Sequence, residues 1–127
     1  MPESLKNISI LIIDDDIDIQ TFAYRVLELE GYRVLTAETG SQGLKLLHEN
    51  RVHLVLLDII MPDTNGWSVL EQIKGDPEIS VIPVIIFTVP VDKSQRDRAI
   101  AMGAADYLPK PITATGLKDA VAKTLKL

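Results

Sequence analysis

The sequence contains no cysteine, which excludes disulfides, thiolate metal sites and thiol nucleophiles. That absence also suits a reducing compartment. No apolar run approaches the ~18 residues that a membrane span requires. The start, MPESLKNISILIIDDD, does not read as a signal peptide, because its short apolar stretch stops at three aspartates. Positive charge is in deficit: 13 basic residues against 18 acidic ones leave a net charge of −5, which argues against nucleic-acid binding. What remains is a chain of 127 residues, 46% hydrophobic, with enough apolar material for one core. The expectation is a single cytoplasmic domain over 1–127, with neither a membrane nor a nucleic acid as partner.

Two kinds of segment alternate along it. Ile8–Ile13, Val52–Leu57 and Val81–Phe87 are short apolar runs rich in branched residues, and weaker ones lie at Tyr32–Ala37 and Ala104–Leu108. Continuous hydrophobicity without alternation predicts strands buried on both faces. Between them, Ile19, Phe22, Ala23, Val26 and Leu27 follow helical spacing up to a capping Gly31. Further helices are predicted over about 40–49, over 66–74 behind Asn65, over 93–102 before Gly103, and behind Thr113 with Leu117, Val121 and Leu125. Gly43 and Gly116 fall inside those patterns and count against the helix starts there. Five βα units in a row imply an α/β fold with a parallel sheet and helices on both faces. The second and fifth strands are the more polar and suit the edges, which gives the flavodoxin-like (βα)5 order 2-1-3-4-5.

Ligands in such sheets bind beyond the carboxyl ends of the strands, where the order reverses. Here the first strand ends in Asp14, Asp15 and Asp16, the third in Asp58, the fourth in Thr88, and the fifth in Lys110 before Pro111. Clustered carboxylates repel one another unless a cation intervenes. Oxygen donors without His or Cys select a hard ion, Mg²⁺ or Mn²⁺. Metal, carboxylate, hydroxyl and lysine together form equipment for phosphoryl transfer. Asp16 reads as an N-cap rather than a ligand. His48 and His53 lie away from this rim with no partner pattern and read as structural or solvent-exposed, and Trp67 is expected to pack near the rim.

The order and spacing of IIDDD, LLDIIMPDTNGW, VIIFTV and YLPKP resemble the receiver domain of bacterial two-component response regulators. The resemblance covers essentially the whole chain. It implies that Asp58 accepts a phosphoryl group from a histidine kinase or phosphotransfer protein. It further implies that Asp15, Asp58 and the backbone carbonyl of Ile60 bind Mg²⁺, with Asp14 acting through a metal-bound water. Thr88 and the Val89 N–H would hold the phosphoryl group, Lys110 would pair with it, and Tyr107 would be the switch residue. Lys110–Pro111 would be a cis peptide. An output protein or domain would read the face made by the fourth helix, fifth strand and fifth helix. The chain would catalyse its own phosphorylation and dephosphorylation only, without being a turnover enzyme. Val89 and Ile60, both apolar beside the site, depart from the commonest pattern.

Three rivals are weaker. Asp14–Asp18 starts like a calcium loop, but Ile19 stands where that loop needs Gly and Arg25 where it needs Glu. A haloacid-dehalogenase-like phosphatase would use Asp14 as nucleophile, yet it needs a further acidic pair after the lysine, and only Asp119 follows Lys110. A protein-interaction module that is never phosphorylated would require a broken site, and this one is intact.

Overall fold

The computed structural model describes residues 6–62, 65–89 and 92–127. Along the chain run β1 (Ser9–Ile13), α1 (Ile17–Glu30), β2 (Arg33–Ala37), α2 (Gly40–Glu49), β3 (Leu54–Leu57), α3 (Gly66–Gly75), β4 (Val84–Thr88), α4 (Lys93–Ala101), β5 (Asp106–Pro109) and α5 (Ala114–Leu125). The five strands form one parallel sheet in the order β2-β1-β3-β4-β5. Fold class and strand order match the expectation from the sequence.

Period-two side-chain alternation divides each central strand between two cores. Leu11, Ile13, Val55, Leu57, Val84 and Ile86 face α2, α3 and α4, meeting Leu47, Val69, Leu70, Ile73 and Ala99. Ile10, Ile12, Leu54, Leu56, Ile85 and Phe87 face the other way, against Ala23, Val26 and Leu27 of α1 and Leu117, Ala120 and Val121 of α5. Every residue of β1, β3 and β4 is buried, which is why those strands read as unbroken apolar runs.

The helix ends follow local chemistry. Asp16 Oδ1 accepts from the N–H groups of Asp18 and Ile19 at the start of α1, so it is the N-cap expected of it. Asn65 caps α3 through Trp67 N–H, and Thr113 caps α5 through Gly116 N–H. Gly31 ends α1 at φ 106°, a left-handed geometry that side chains beyond Cα disfavour. Gly43 sits inside α2 because a Cβ there would run into the Ile13 side chain; the helix lies directly on the end of β1.

One expectation needs correction. The run Val81–Phe87 is not all strand: β4 begins at Val84, and Val81 is exposed. The segment before it winds onto the end of α3, where Ser80 N–H and Ile79 N–H donate to the Asp76 carbonyl. Lys74 Nζ then donates to the carbonyls of Ser80 and Ile82, at 3.0 and 2.8 Å. These bonds occupy the backbone that a longer strand would need. His48 is solvent-exposed, as expected, and its Nε2 lies 2.8 Å from Asp76 Oδ2 and 3.9 Å from Glu78 Oε2. His53, by contrast, plays the structural part, its Nδ1 accepting from Ser9 N–H at 3.0 Å.

The hydrogen bond from His48 Nδ1 to the Leu44 carbonyl, together with Asp76, holds the imidazole above its ordinary value of 6.5. A raised value means the folded chain binds that proton more tightly, so the contribution is complete below pH 6.5 and fades as pH rises through the folded value. The melting temperature of the wild type should therefore exceed that of His48→Gln in mildly acidic buffer. The difference should shrink toward alkaline pH; a gap independent of pH would show that the ion pair contributes nothing.

Candidate functional site

Register brings the rim together. Ile13 pairs with Leu57, and Asp58 N–H donates to the Ile13 carbonyl at 3.0 Å, so Asp14 and Asp58 emerge side by side. On the other flank Thr88 pairs with Pro109, and Lys110 N–H donates to the Thr88 carbonyl at 3.1 Å. Four strands thus deliver two carboxylates, a hydroxyl and an ammonium to one place.

The side chains then engage one another. Thr88 donates its hydroxyl to Asp58 Oδ1 at 2.9 Å, and Ile60 N–H donates to the same oxygen at 3.2 Å. Lys110 Nζ donates to Asp14 Oδ2 at 2.6 Å and lies 3.3 Å from Asp58 Oδ2. Asp14 Oδ1 accepts from Asp16 N–H at 2.9 Å. Asp14, Asp58 and Thr88 are all buried, and the Lys110 ammonium also lies over the Phe87 ring, 5.4 Å from its centre. Burial pushes the Asp14 carboxyl above its ordinary value, against the opposing pull of Lys110. Asp15 is exposed, yet carboxylate oxygens of Asp14, Asp15 and Asp58 lie within 4.8 Å of one another. An all-oxygen donor set of that size, with one lysine among three carboxylates, fits a hard divalent cation.

The remaining predicted residues fall at the edges. Val89 and Ile60 are the apolar shoulders, 46% and 60% exposed. Tyr107 is buried on β5, with its hydroxyl donating to Gln95 of α4 at 3.2 Å. Trp67, in the first turn of α3, packs on the core, and its ring lies 4.2 Å from the Arg98 guanidinium of α4. Lys110–Pro111 is cis. Pro90, which the sequence sets beside Val89, lies outside the described residues.

Two residues that shape the rim escaped the sequence reading. Gln20 of α1 is buried and donates its amide to the carbonyls of Asp14, at 2.5 Å, and Ala37, at 3.2 Å. It thereby ties the ends of β1 and β2 to α1. The signal was a polar residue on the apolar stripe of a helix. Gly66 begins α3 so close to the strand end that a Cβ would come within 3.0 Å of the Asp58 carbonyl and Ile59 Cα. Any side chain there would push the loop carrying Ile60 away from Asp58.

With this geometry in view, the comparisons with known proteins are consistent. The family model for the response regulator receiver domain matches residues 10–122. The chain belongs to that family. It is 39% identical over 103 residues to protein PilH of Pseudomonas aeruginosa, covering 81% of this chain and 85% of that one. It is 37% identical over 119 residues to a probable cyclic di-GMP phosphodiesterase of Vibrio cholerae, covering 94% of this chain but only 27% of that protein. Among solved structures, a CheY-like receiver domain protein of Methanospirillum hungatei superposes with a TM-score of 0.86 at 29% identity, covering 94% of each chain. The chain is thus a receiver domain of the two-component type. Among the described residues, no helix is long and apolar enough to cross a membrane.

Burial of the Asp14 carboxylate, with a smaller part from the neighbouring Asp58 charge, should carry a measurable cost. In metal-free buffer, Asp14→Asn should raise the melting temperature by about 3–5 °C, the shift that ~1 kcal/mol produces in a domain of this size. A lowered melting temperature would mean that Lys110 more than offsets the burial of that carboxylate.

Proposed function

We propose that this receiver domain is a phosphoacceptor switch in which Asp58 takes a phosphoryl group from the phosphohistidine of a histidine kinase or phosphotransfer protein. The observation that carries the reading is the pair of contacts on the Asp58 carboxylate, the Thr88 hydroxyl on one oxygen and the Lys110 ammonium near the other. In this reading a carboxylate oxygen of Asp58 attacks phosphorus in line. The P–N bond breaks, and its electron pair returns to the donor imidazole. The product is an acyl phosphate on Asp58. Thr88 turns its hydroxyl from Asp58 to a phosphoryl oxygen, which the Val89 N–H also meets, while Lys110 gives up Asp14 to pair with the new charge.

Asp15, Asp58 and the Ile60 carbonyl would hold Mg²⁺ (or Mn²⁺), with Asp14 acting through a bound water. The ion would supply positive charge against the oxygens of the transferring group. The domain would promote only its own phosphorylation and dephosphorylation and would not be a turnover enzyme. The whole chain reads as cytoplasmic, without nucleic acid or membrane as a direct partner.

Displacement of Thr88 would be felt at Tyr107, because β4 and β5 are paired and Tyr107 reaches α4 through Gln95. In α4 only Ala99 is buried, so little apolar area resists a shift of that helix. An output protein or domain would read the change on the face of α4, β5 and α5.

Treating the protein with a small-molecule phosphodonor and Mg²⁺, then mapping the modified residue by mass, tests this directly. Label should appear on Asp58, and both Asp58→Asn and EDTA should abolish it. Label on Asp14 would point to the phosphatase chemistry instead, and no label at all to a bare interaction module.

The apolar shoulder adds a kinetic expectation. Val89 is stiff at its first side-chain torsion and follows Thr88 directly; as a lid over the path of an attacking water it would make the acyl phosphate long-lived. Val89→Ala should speed both its decay and its loading by small donors. Changes under about twofold, ~0.4 kcal/mol in the barrier, would rule out a lid at this position.

A further inference from the structure

A second set of metal-ligating side chains lies at the opposite pole of the molecule. Helices in this fold run back from the carboxyl edge of the sheet to its amino edge, so the last turns of α2 and α3 meet far from Asp58. His48 stands in the last turn of α2, Asp76 is the residue that ends α3, and Glu78 follows two positions on. One ligand atom from each lies within 4.8 Å of the other two.

Three features of this set go beyond proximity. First, the imidazole is oriented: His48 Nδ1 lies 2.9 Å from the Leu44 carbonyl, which requires Nδ1 to carry a hydrogen. In the neutral ring Nε2 is then a bare lone pair, aimed at Asp76 Oδ2 from 2.8 Å. Acceptor facing acceptor is repulsive unless a proton or a metal ion stands between them. A ring N–H given to a backbone carbonyl is also the usual support of a metal-binding histidine. Second, Asp76 is held in place, with Oδ1 accepting from Glu78 N–H at 3.0 Å and Oδ2 left toward the imidazole. The loop around it is pinned by Lys74 on the carbonyls of Ser80 and Ile82. Third, two helix carboxyl termini converge here, each with partial negative charge. Lys74, the basic residue in the last turn of α3, is already committed to that loop.

We propose that His48 Nε2, Asp76 and Glu78 form a binding site for a borderline divalent transition-metal ion, Zn²⁺ being the reference case, separate from the acidic rim. One nitrogen and two carboxylate oxygens suit Zn²⁺, Ni²⁺ or Cu²⁺ and not the hard ion expected at the rim. With ligands ~2.1 Å from the ion, tetrahedral geometry places them about 3.4 Å apart. The observed separations from Nε2, 2.8 Å to Asp76 and 3.9 Å to Glu78, bracket that value, so small rotamer adjustments close the site. Water would complete the coordination on the exposed side. An ion there would clamp α2 to the loop between α3 and β4 and displace any proton on Nε2.

The chain has only two histidines, so imidazole NMR resolves the question residue by residue. Tag-free protein of residues 1–127 in excess Mg²⁺ at about pH 8, where an ordinary imidazole is neutral, would be titrated with ZnCl₂. The His48 ring resonances should shift and saturate at one equivalent while those of His53 stay put. By calorimetry, His48→Gln and Glu78→Gln should each weaken Zn²⁺ binding by roughly tenfold or more. Both positions are exposed, so neither change threatens folding. Unmoved His48 resonances, or Zn²⁺ affinity unchanged in both variants, would overturn the proposal and leave His48 as a partner of Asp76 through a proton alone.

Discussion

The geometry at the carboxyl edge turns on one ammonium group. Lys110 lies between two buried carboxylates that parallel pairing of β1 with β3 forces together. Without a cation, Asp14 and Asp58 would face each other with little water to screen them, and their repulsion would splay the strand ends. The lysine is therefore the counterion that lets the sheet close at this end and, under the proposed function, the group that a bound cation or a phosphoryl group would draw away from Asp14. Stability and responsiveness come from the same contact.

Around that contact the fold divides its labour unevenly. α1 and α5 bury several aliphatic side chains each against one face of the sheet, and α3 does the same on the other. α4 differs. Beside the buried Ala99, its contacts among the described residues include a tyrosine hydroxyl on Gln95 and a guanidinium over an indole. Polar and ring contacts of this kind are individually weak and directional, so they can be exchanged without unfolding the core. A site that alters β4 and β5 is thus adjacent to the one described helix that the core holds loosely.

Much of this was legible in the sequence, because three of the four strands carrying the site are buried on both faces and so write themselves as apolar runs ending in polar residues. Asp14, Asp58, Thr88 and Lys110 meet where the strand ends predicted. Caps at Asp16, Asn65 and Thr113 were equally readable, since short polar side chains before a helix have few other uses. The misreadings have physical reasons. Val81 continues an apolar run, but a lysine from the preceding helix takes the backbone carbonyls around it. Gln20 and Gly66 depend on distances across the fold that no local pattern encodes. His48 finds its acidic partners 28 residues on, where two helix ends converge.

The contact between Trp67 and Arg98 gives this molecule an optical handle. There is one tryptophan in the chain, rooted in the first turn of α3, while the charge above its ring belongs to Arg98 of α4. A cation over an indole face alters the energy of its excited state. Intrinsic emission therefore reports on the spacing between α3, with Val69, Leu70 and Ile73 buried in the core, and α4, with only Ala99 buried, and it does so without any attached dye.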